Sequence, residues 1–375
     1  MRSLVAPKYC LPAEYEVQDV PTPAIKGPKD ILVKVHVAAI LTGDTQLASG
    51  KLRMLVGRSE FPIKLGIKAA GVVVATASEV TTLKVGDEVY GMAFGRPIDY
   101  PVAPGFCSEY CVGQEGLFVR KPPHVPFEDA AALLGAVVTA VQAIERGLRL
   151  MRENGVSGGL EGKTVFVPGA LSATGSVGAQ LLKTVYGAGR VISTVSTAKV
   201  PLVARRLPAG TVDEVVDYTA ARRLTDAVAP GSVDFVYNTQ WDLGGVIPLL
   251  RRDAGVVVSI ASLPPSSLLR QMMVGGSVPF YVRWAVDLAQ CWYAFLMRGT
   301  NIKYDFVSGN PGAREDLERA AELIALGKVR ALSNVIELED IEAVRKACEQ
   351  VYTGKGGLGQ LVIKISQRGA ESRSE

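Results

Sequence analysis

The chain is poor in histidine, with two in 375 residues, and nearly balanced in charge, with 41 basic against 37 acidic side chains. A formal net charge of +4 is too small for this length to imply nucleic acid or an anionic membrane as a partner. Cysteines are few, scattered and odd in number: Cys10, Cys107, Cys111, Cys291 and Cys348. That pattern argues against a disulfide framework and for free thiols in a reducing compartment, so a cytoplasmic location is expected. Long hydrophobic runs are missing. The longest apolar-looking stretch, Trp284 to Met297, contains Asp287 and Gln290 and is too short for a membrane span. The opening MRSLVAPKYCLPAEYEV reaches charged residues too soon for a signal peptide. There are no internal repeats or low-complexity linkers, and the last ten residues, SQRGAESRSE, read as a solvated, disordered tail. What remains is an ordinary globular composition, 48% hydrophobic and 21% charged, on a chain long enough for two domains.

Residues 1 to about 134 are strand-rich. Ile31 to Val37 alternates apolar and polar, Ala69 to Ala75 is a continuous apolar run, and Val85 to Val89 turns into another strand. Proline and glycine punctuate 91–105, which predicts a loop. From Phe127 the chain becomes alanine-rich and helix-like, with acids in its first turn, where they suit the helix dipole. Strand candidates at 164–168, 190–195, 213–217, 233–238 and 255–260 then alternate with helical stretches, the pattern of a parallel sheet covered on both faces. Ser267 to Thr300 is aromatic and partly helical; Tyr304 to Val307, Arg314 to Leu326 and Leu361 to Ile365 read as strand, amphipathic helix and strand.

Thr164 to Lys183, TVFVPGALSATGSVGAQLLK, organises this second region. Ala173, Gly175 and Gly178 are spaced as in the dinucleotide fingerprint G-x-G-x-x-G. Small residues there permit a tight turn, close backbone approach to a pyrophosphate, and close packing of helix on strand. The same pattern also suits a turn that only packs a helix on its strand. Beyond the second strand, where NAD-preferring sites place an acid, stand Ser196, Thr197, Ala198 and Lys199. Hydroxyls and an ammonium suit a 2′-phosphate, with Arg190 adding charge nearby; a solvated loop with an incidental lysine is the bland alternative. NADPH is therefore expected over NADH.

The ordered set LGIKAAGVVVATASEVTTLKVGDEVYG (65–91), FEDAAALLGAVVTA (127–140), the fingerprint, DEVVDYT (213–219) and ALGKVRALSNVIELEDIEAVRKA (325–347) resembles the medium-chain dehydrogenase/reductase superfamily, in its zinc-free quinone oxidoreductase and enoyl reductase branch. The resemblance covers about residues 1–366, with Gln180 and Lys183 also matching, and departs from the usual Gly-Gly-Val-Gly at Ser172-Ala173-Thr174-Gly175. It implies an α/β protein: a GroES-like, β-rich catalytic domain built from both chain ends (1–134 and 309–366), an inserted Rossmann doubly wound domain (135–308) and a tail at 367–375. It also implies cofactor contacts at Thr139, Ser172, Ala173, Thr174, Gly175, Ser176, Val177, Ser196, Thr197, Lys199, Tyr218 and Thr239. Tyr218 would stack near the adenine or ribose, although a buried tyrosine is an equal reading of that residue alone.

Zinc members carry a cysteine before Gly-x-Asp and a histidine in Gly-His-Glu; here those positions hold Leu41 and Ile67, which cannot ligate zinc. Cys107 and Cys111 do not make a four-cysteine lobe, and His36 and His124 read as solvated or locally bonded. Without a Lewis acid to polarise a plain carbonyl, conjugated acceptors are favoured, because they delocalise the incoming charge themselves. On the substrate side the resemblance is weaker. The usual Asn and tyrosine are replaced by Leu41 and Leu52, leaving Thr42 as a hydrogen-bonding group or a helix cap, Gln46 as the nearest amide, and Tyr100 as a proton-donor candidate. Asp44 is expected to be structural.

The aromatic stretch around Trp292 is either core, dimer-interface packing, or a lining for a bulky lipophilic substrate in the interdomain cleft. Homodimers are common in the branch. The expected function is zinc-independent, NADPH-dependent reduction of a quinone or of the C=C of an α,β-unsaturated carbonyl. The alternatives are a trans-acting enoyl reductase of a biosynthetic pathway, and a non-catalytic, crystallin-like NADPH-binding protein.

Overall fold

The computed structural model describes residues 1–57, 59–95, 105–272 and 278–365. Its first elements are β1 (Arg2–Ala6), β2 (Glu16–Asp19), β3 (Asp30–Ile40), α1 (Thr42–Ala48), α2 (Arg53–Val56), β4 (Ile63–Lys64), β5 (Lys68–Thr76), β6 (Glu88–Met92), β7 (Tyr110–Gln114) and β8 (Phe118–Arg120). They continue with α3 (Phe127–Glu153), β9 (Thr164–Val167), α4 (Ala173–Thr184), β10 (Arg190–Val195), α5 (Val200–Arg206), β11 (Glu214–Asp217), β12 (Phe235–Asn238) and β13 (Val256–Ser259). The last are α6 (Ser266–Met272), α7 (Phe280–Leu296), β14 (Lys303–Phe306), α8 (Arg314–Ala325), β15 (Ser333–Glu337), α9 (Ile341–Thr353) and β16 (Gln360–Lys364).

Two compact units result. Among the described residues, the first contains those of 1–135, 311–325 and 333–365; the second contains those of 136–310 and 326–332. In the first unit a seven-stranded sheet runs β15-β16-β3-β5-β6-β8, with β7 paired to β3, beside a three-stranded β2-β1-β4 sheet. β3 holds this sheet together because it is long and its odd-numbered residues, Ile31 to Val37, are buried. A final strand from the far end of the chain joins it, with Leu361 opposite Ile40. The core beneath combines Ile31, Val33, Phe106 and Phe118 with Val344, Cys348 and Ile363.

The second unit has six parallel strands in the order β11-β10-β9-β12-β13-β14. The inner strands read as unbroken apolar runs because both faces are covered, and all four residues of β12 and of β13 are buried. The strand order reverses between β9 and β12, the point where doubly wound folds bind ligands beyond the carboxyl ends of their strands. Among the described residues one helix, α3, has the length and hydropathy of a membrane span; 67% of that window is buried in protein. All five cysteines are free thiols, and only Cys291 is exposed.

Candidate functional site

The carboxyl ends of β9, β10 and β12 converge on one turn. Gly169, just past β9, has φ +79°, a conformation that suits glycine. Its N–H donates to Thr194 Oγ1 at 3.0 Å, and Ala170 N–H donates to the Thr194 carbonyl at 3.0 Å. Thr239 closes the other side, its hydroxyl donating to the Pro168 carbonyl at 2.5 Å. Ser172 caps α4 and accepts Gly175 N–H at 3.0 Å. A Cβ at Gly175 would lie 2.2 Å from the Gly169 carbonyl oxygen, and one at Gly178 would lie 2.4 Å from the ring of Tyr237 on β12. The fingerprint glycines therefore close the turn and seat the helix on the sheet.

This turn fits a pyrophosphate. The Gly175 and Ser176 N–H groups are taken by Ser172, so those of Ala173 and Thr174 remain at the positive end of a twelve-residue helix. Ser176 and Val177 have buried side chains, and Ser176 Oγ donates back to the Ala173 carbonyl at 3.3 Å. Their side chains do not reach this face. Gln180 is buried and exchanges hydrogen bonds with the Arg330 backbone at 2.8 and 3.1 Å, while Lys183 pairs with Asp213 at 2.6 Å. Both brace the unit rather than offering a ligand contact. Thr139 on α3 is tightly covered: a Cβ on Gly309 would lie 2.0 Å from its hydroxyl oxygen.

Ser196, Thr197 and Lys199 follow β10, with Thr197 exposed and Lys199 half-buried. Burial pulls the Lys199 ammonium below its usual range. Tyr218 extends from the adjacent end of β11 and is 52% exposed, which excludes the buried-tyrosine reading. Two expectations change here. Arg190 begins β10, at the end opposite Ser196, and pairs with Glu214, so it adds no charge beside Lys199. An acid does lie close, on the next strand: Asp217, in register with Val195. Hydrogen bonds from Thr197 and Thr219 hold its carboxyl down to about 2, and Thr219 Oγ1 joins the two loops, 2.7 Å from Thr197 Oγ1 and 2.7 Å from Asp217. The spacing rule looks along one strand and misses a carboxylate supplied by its neighbour.

In the first unit Asp44 is buried and clamps two loops, accepting Leu41 N–H at 2.8 Å and Gly66 N–H at 2.9 Å. Burial pushes its carboxyl up to about 7. The clamp sets Leu41 and Ile67 as apolar packing against the core. Thr42 is exposed and is the first residue of α1; the helix start is served by Asp44, so Thr42 is not the cap. Gln46 is half-buried on the same helix. Tyr100 lies outside the described residues, as does the tail from 366. His36 stacks on Phe127 with centroids 4.6 Å apart, and His124 Nε2 lies 3.1 Å from the Ala325 carbonyl oxygen.

Lys68 is the residue that sequence reasoning missed. It is 2% exposed; its Nζ donates to Gln360 Oε1 at 2.9 Å and to the Ala132 carbonyl at 3.4 Å. Burial brings it down to about 8, opposed by the Asp44 charge. The signal was available: Gly66-Ile67-Lys68 puts a base where Gly-His-Glu has an acid.

The alcohol dehydrogenase GroES-like domain matches residues 27–178. The chain is 33% identical over 247 residues to 2-methylene-furan-3-one reductase of Solanum lycopersicum, covering 66% of this chain and 58% of that one. It is 31% identical over 247 residues to NADPH-dependent alkenal/one oxidoreductase, chloroplastic, of Arabidopsis thaliana, covering 66% and 59%. The chain thus spans about three fifths of the length of these curated relatives. The structure of a quinone oxidoreductase from Coxiella burnetii superposes over 98% of this chain and 99% of its own, with a TM-score of 0.72 at 21% identity. The chain thus shares an alcohol dehydrogenase GroES-like region over residues 27–178 and the fold of that quinone oxidoreductase. Trp292 is 56% exposed on α7 and stacked on Phe295 with centroids 5.6 Å apart.

Proposed function

We propose that this protein is a zinc-independent, NADPH-dependent reductase of quinones or of the conjugated C=C of α,β-unsaturated carbonyls. The observation that carries the acceptor class is the apolar pair Leu41 and Ile67, held in place by Asp44. Neither can bind the metal that polarises an unconjugated carbonyl, so the acceptor must spread the incoming charge itself. Two relatives whose names specify a methylene-furanone and alkenals or alkenones support the same class.

Bound NADPH would supply the hydride. Ala173 and Thr174 would bind its pyrophosphate through backbone N–H groups, and Tyr218 would present a ring face to the adenine side. Thr197 and Lys199 would hold the 2′-phosphate, with Asp217 opposing them at short range. That opposition makes the NADPH preference a balance between one ammonium and one carboxylate. Thr42 would offer a hydroxyl to the acceptor oxygen, and Gln46 an amide.

The test is NADPH consumption with a panel of quinones, enones and enoyl thioesters, run beside plain aldehydes and ketones and with a chelator. Turnover confined to conjugated acceptors and indifferent to the chelator is expected. Chelator-sensitive turnover of plain carbonyls would overturn the reading. Tight NADPH binding without turnover of any acceptor would favour a non-catalytic binding protein, a role consistent with Leu41 and Leu52 where the branch places polar groups.

A further inference from the structure

Two hydroxyls and a carboxylate tie the ends of β10 and β11 together, and the direction of their protons is fixed. Asp217 ends β11, in register with Val195 at the end of β10. Its Oδ1 accepts Thr219 N–H at 2.9 Å, the Thr219 hydroxyl at 2.7 Å and Ala220 N–H at 3.2 Å. Thr219 Oγ1 also lies 2.7 Å from Thr197 Oγ1 and accepts Thr197 N–H at 3.2 Å.

An ionised carboxylate has no proton to give, and hydrogen bonds from Thr197 and Thr219 keep Asp217 ionised at neutral pH, its carboxyl held down to about 2. The single hydroxyl proton of Thr219 therefore goes to Asp217. Were it turned to Thr197, two bare oxygens would face each other at 2.7 Å. The contact between the two hydroxyls must then carry the proton of Thr197. Protons run inward to one carboxylate, and the exposed Thr197 shows oxygen lone pairs to the outside.

A 2′-phosphate and a ribose 2′-hydroxyl ask for opposite things. The phosphate is an anion that only accepts, so it needs donors. The hydroxyl is itself a donor, and an outward lone pair on Thr197 suits it. To meet a phosphate, Thr197 has to turn its proton outward and give up its bond to Thr219, beside a carboxylate that repels the same anion. We infer that Thr219, anchored by Asp217, limits the selectivity for a 2′-phosphate by holding Thr197 as an acceptor, so that a cofactor with a free 2′-hydroxyl is admitted at the same loop. Thr219 acts through Thr197, as a positioning residue, and it has this role only if the adenosine end of the cofactor lies at the β10 and β11 ends, as proposed above.

Isothermal titration of the full chain with adenosine 2′,5′-bisphosphate and with adenosine 5′-monophosphate reads this step, because the probes differ only in the 2′-phosphate and no hydride moves. Thr219→Val removes the hydroxyl that takes the Thr197 proton and leaves the charge of Asp217. It should tighten the bisphosphate roughly two- to tenfold, the range of one hydrogen bond, and leave the monophosphate within about twofold. Asp217→Asn, which also removes the charge, should tighten the bisphosphate by about tenfold or more. Thr219→Ser should keep the parent's ratio of affinities, whereas a loop that had merely loosened would weaken both probes together. A ratio unchanged in Thr219→Val, or both probes weakened alike, overturns the inference. A gain confined to Asp217→Asn does so too, since charge repulsion alone would then account for it. Lys199→Glu should weaken the bisphosphate about tenfold whether or not Thr219 orders Thr197. If it does not, or if neither probe binds the parent, the cofactor reading falls and the inference with it.

Discussion

At the scale of the residue, two buried charges in the first unit oppose each other across pH. Lys68 falls from 10.5 to about 8 on burial. Between those values the unfolded chain is protonated where the folded one is not, so stability declines as pH falls from 10.5 toward 8. Asp44 rises from 3.8 to about 7, so the folded state keeps a proton that the unfolded state has lost, and stability declines as pH rises through that window. Lys68→Met should flatten the dependence of the melting temperature between about pH 8 and 10. An unchanged alkaline limb in thermal melts would show that Lys68 is not its source. On the other unit, Lys199→Glu should raise KM for NADPH about tenfold, the low end of a charge-assisted hydrogen bond, with KM for NADH altered much less. Steady-state kinetics with both cofactors decides this, and equal changes would remove Lys199 from the 2′-phosphate.

At the scale of the element, the fingerprint helix was legible because its small residues answer to geometry near in sequence. The strands were legible for the same reason: apolar runs at 164–168 and 190–195 became β9 and β10. Less was legible where neighbouring elements supply the group. Gly169 makes the turn, yet lies outside the G-x-G-x-x-G spacing. Asp217 comes from β11, and Gln360 reaches Lys68 from β16; no local pattern joins such residues. The aromatic run read first as core or interface packing and second as a substrate lining, because spacing alone does not say which faces are covered; the folded α7, with its outer aromatics exposed, excludes core for them. A direct test of the α4 geometry is Gly178→Ala. Its Cβ would meet the buried Tyr237 ring at 2.4 Å, so a loss of about 1–3 kcal/mol is expected. Thermal or urea unfolding would measure it, and Tyr237→Leu in the same chain should recover part of the loss, since the two positions are in contact.

At the scale of the whole molecule, the two units differ in how their sheets are drawn from the chain. The six parallel strands of the second come from one stretch, 164–306. The seven-stranded sheet of the first needs β16, which pairs with β3; Gln360 donates to the Ile40 carbonyl 320 residues earlier. During synthesis at about 5–20 residues per second, β3 would wait roughly 15–60 s for that strand, with an apolar edge and part of the core uncovered. The second unit can close while the chain is still on the ribosome. The first is an open template until the last strand emerges, so chaperone dependence and nascent-chain aggregation should track the supply of residues 360–364 rather than the cofactor-binding half of the protein.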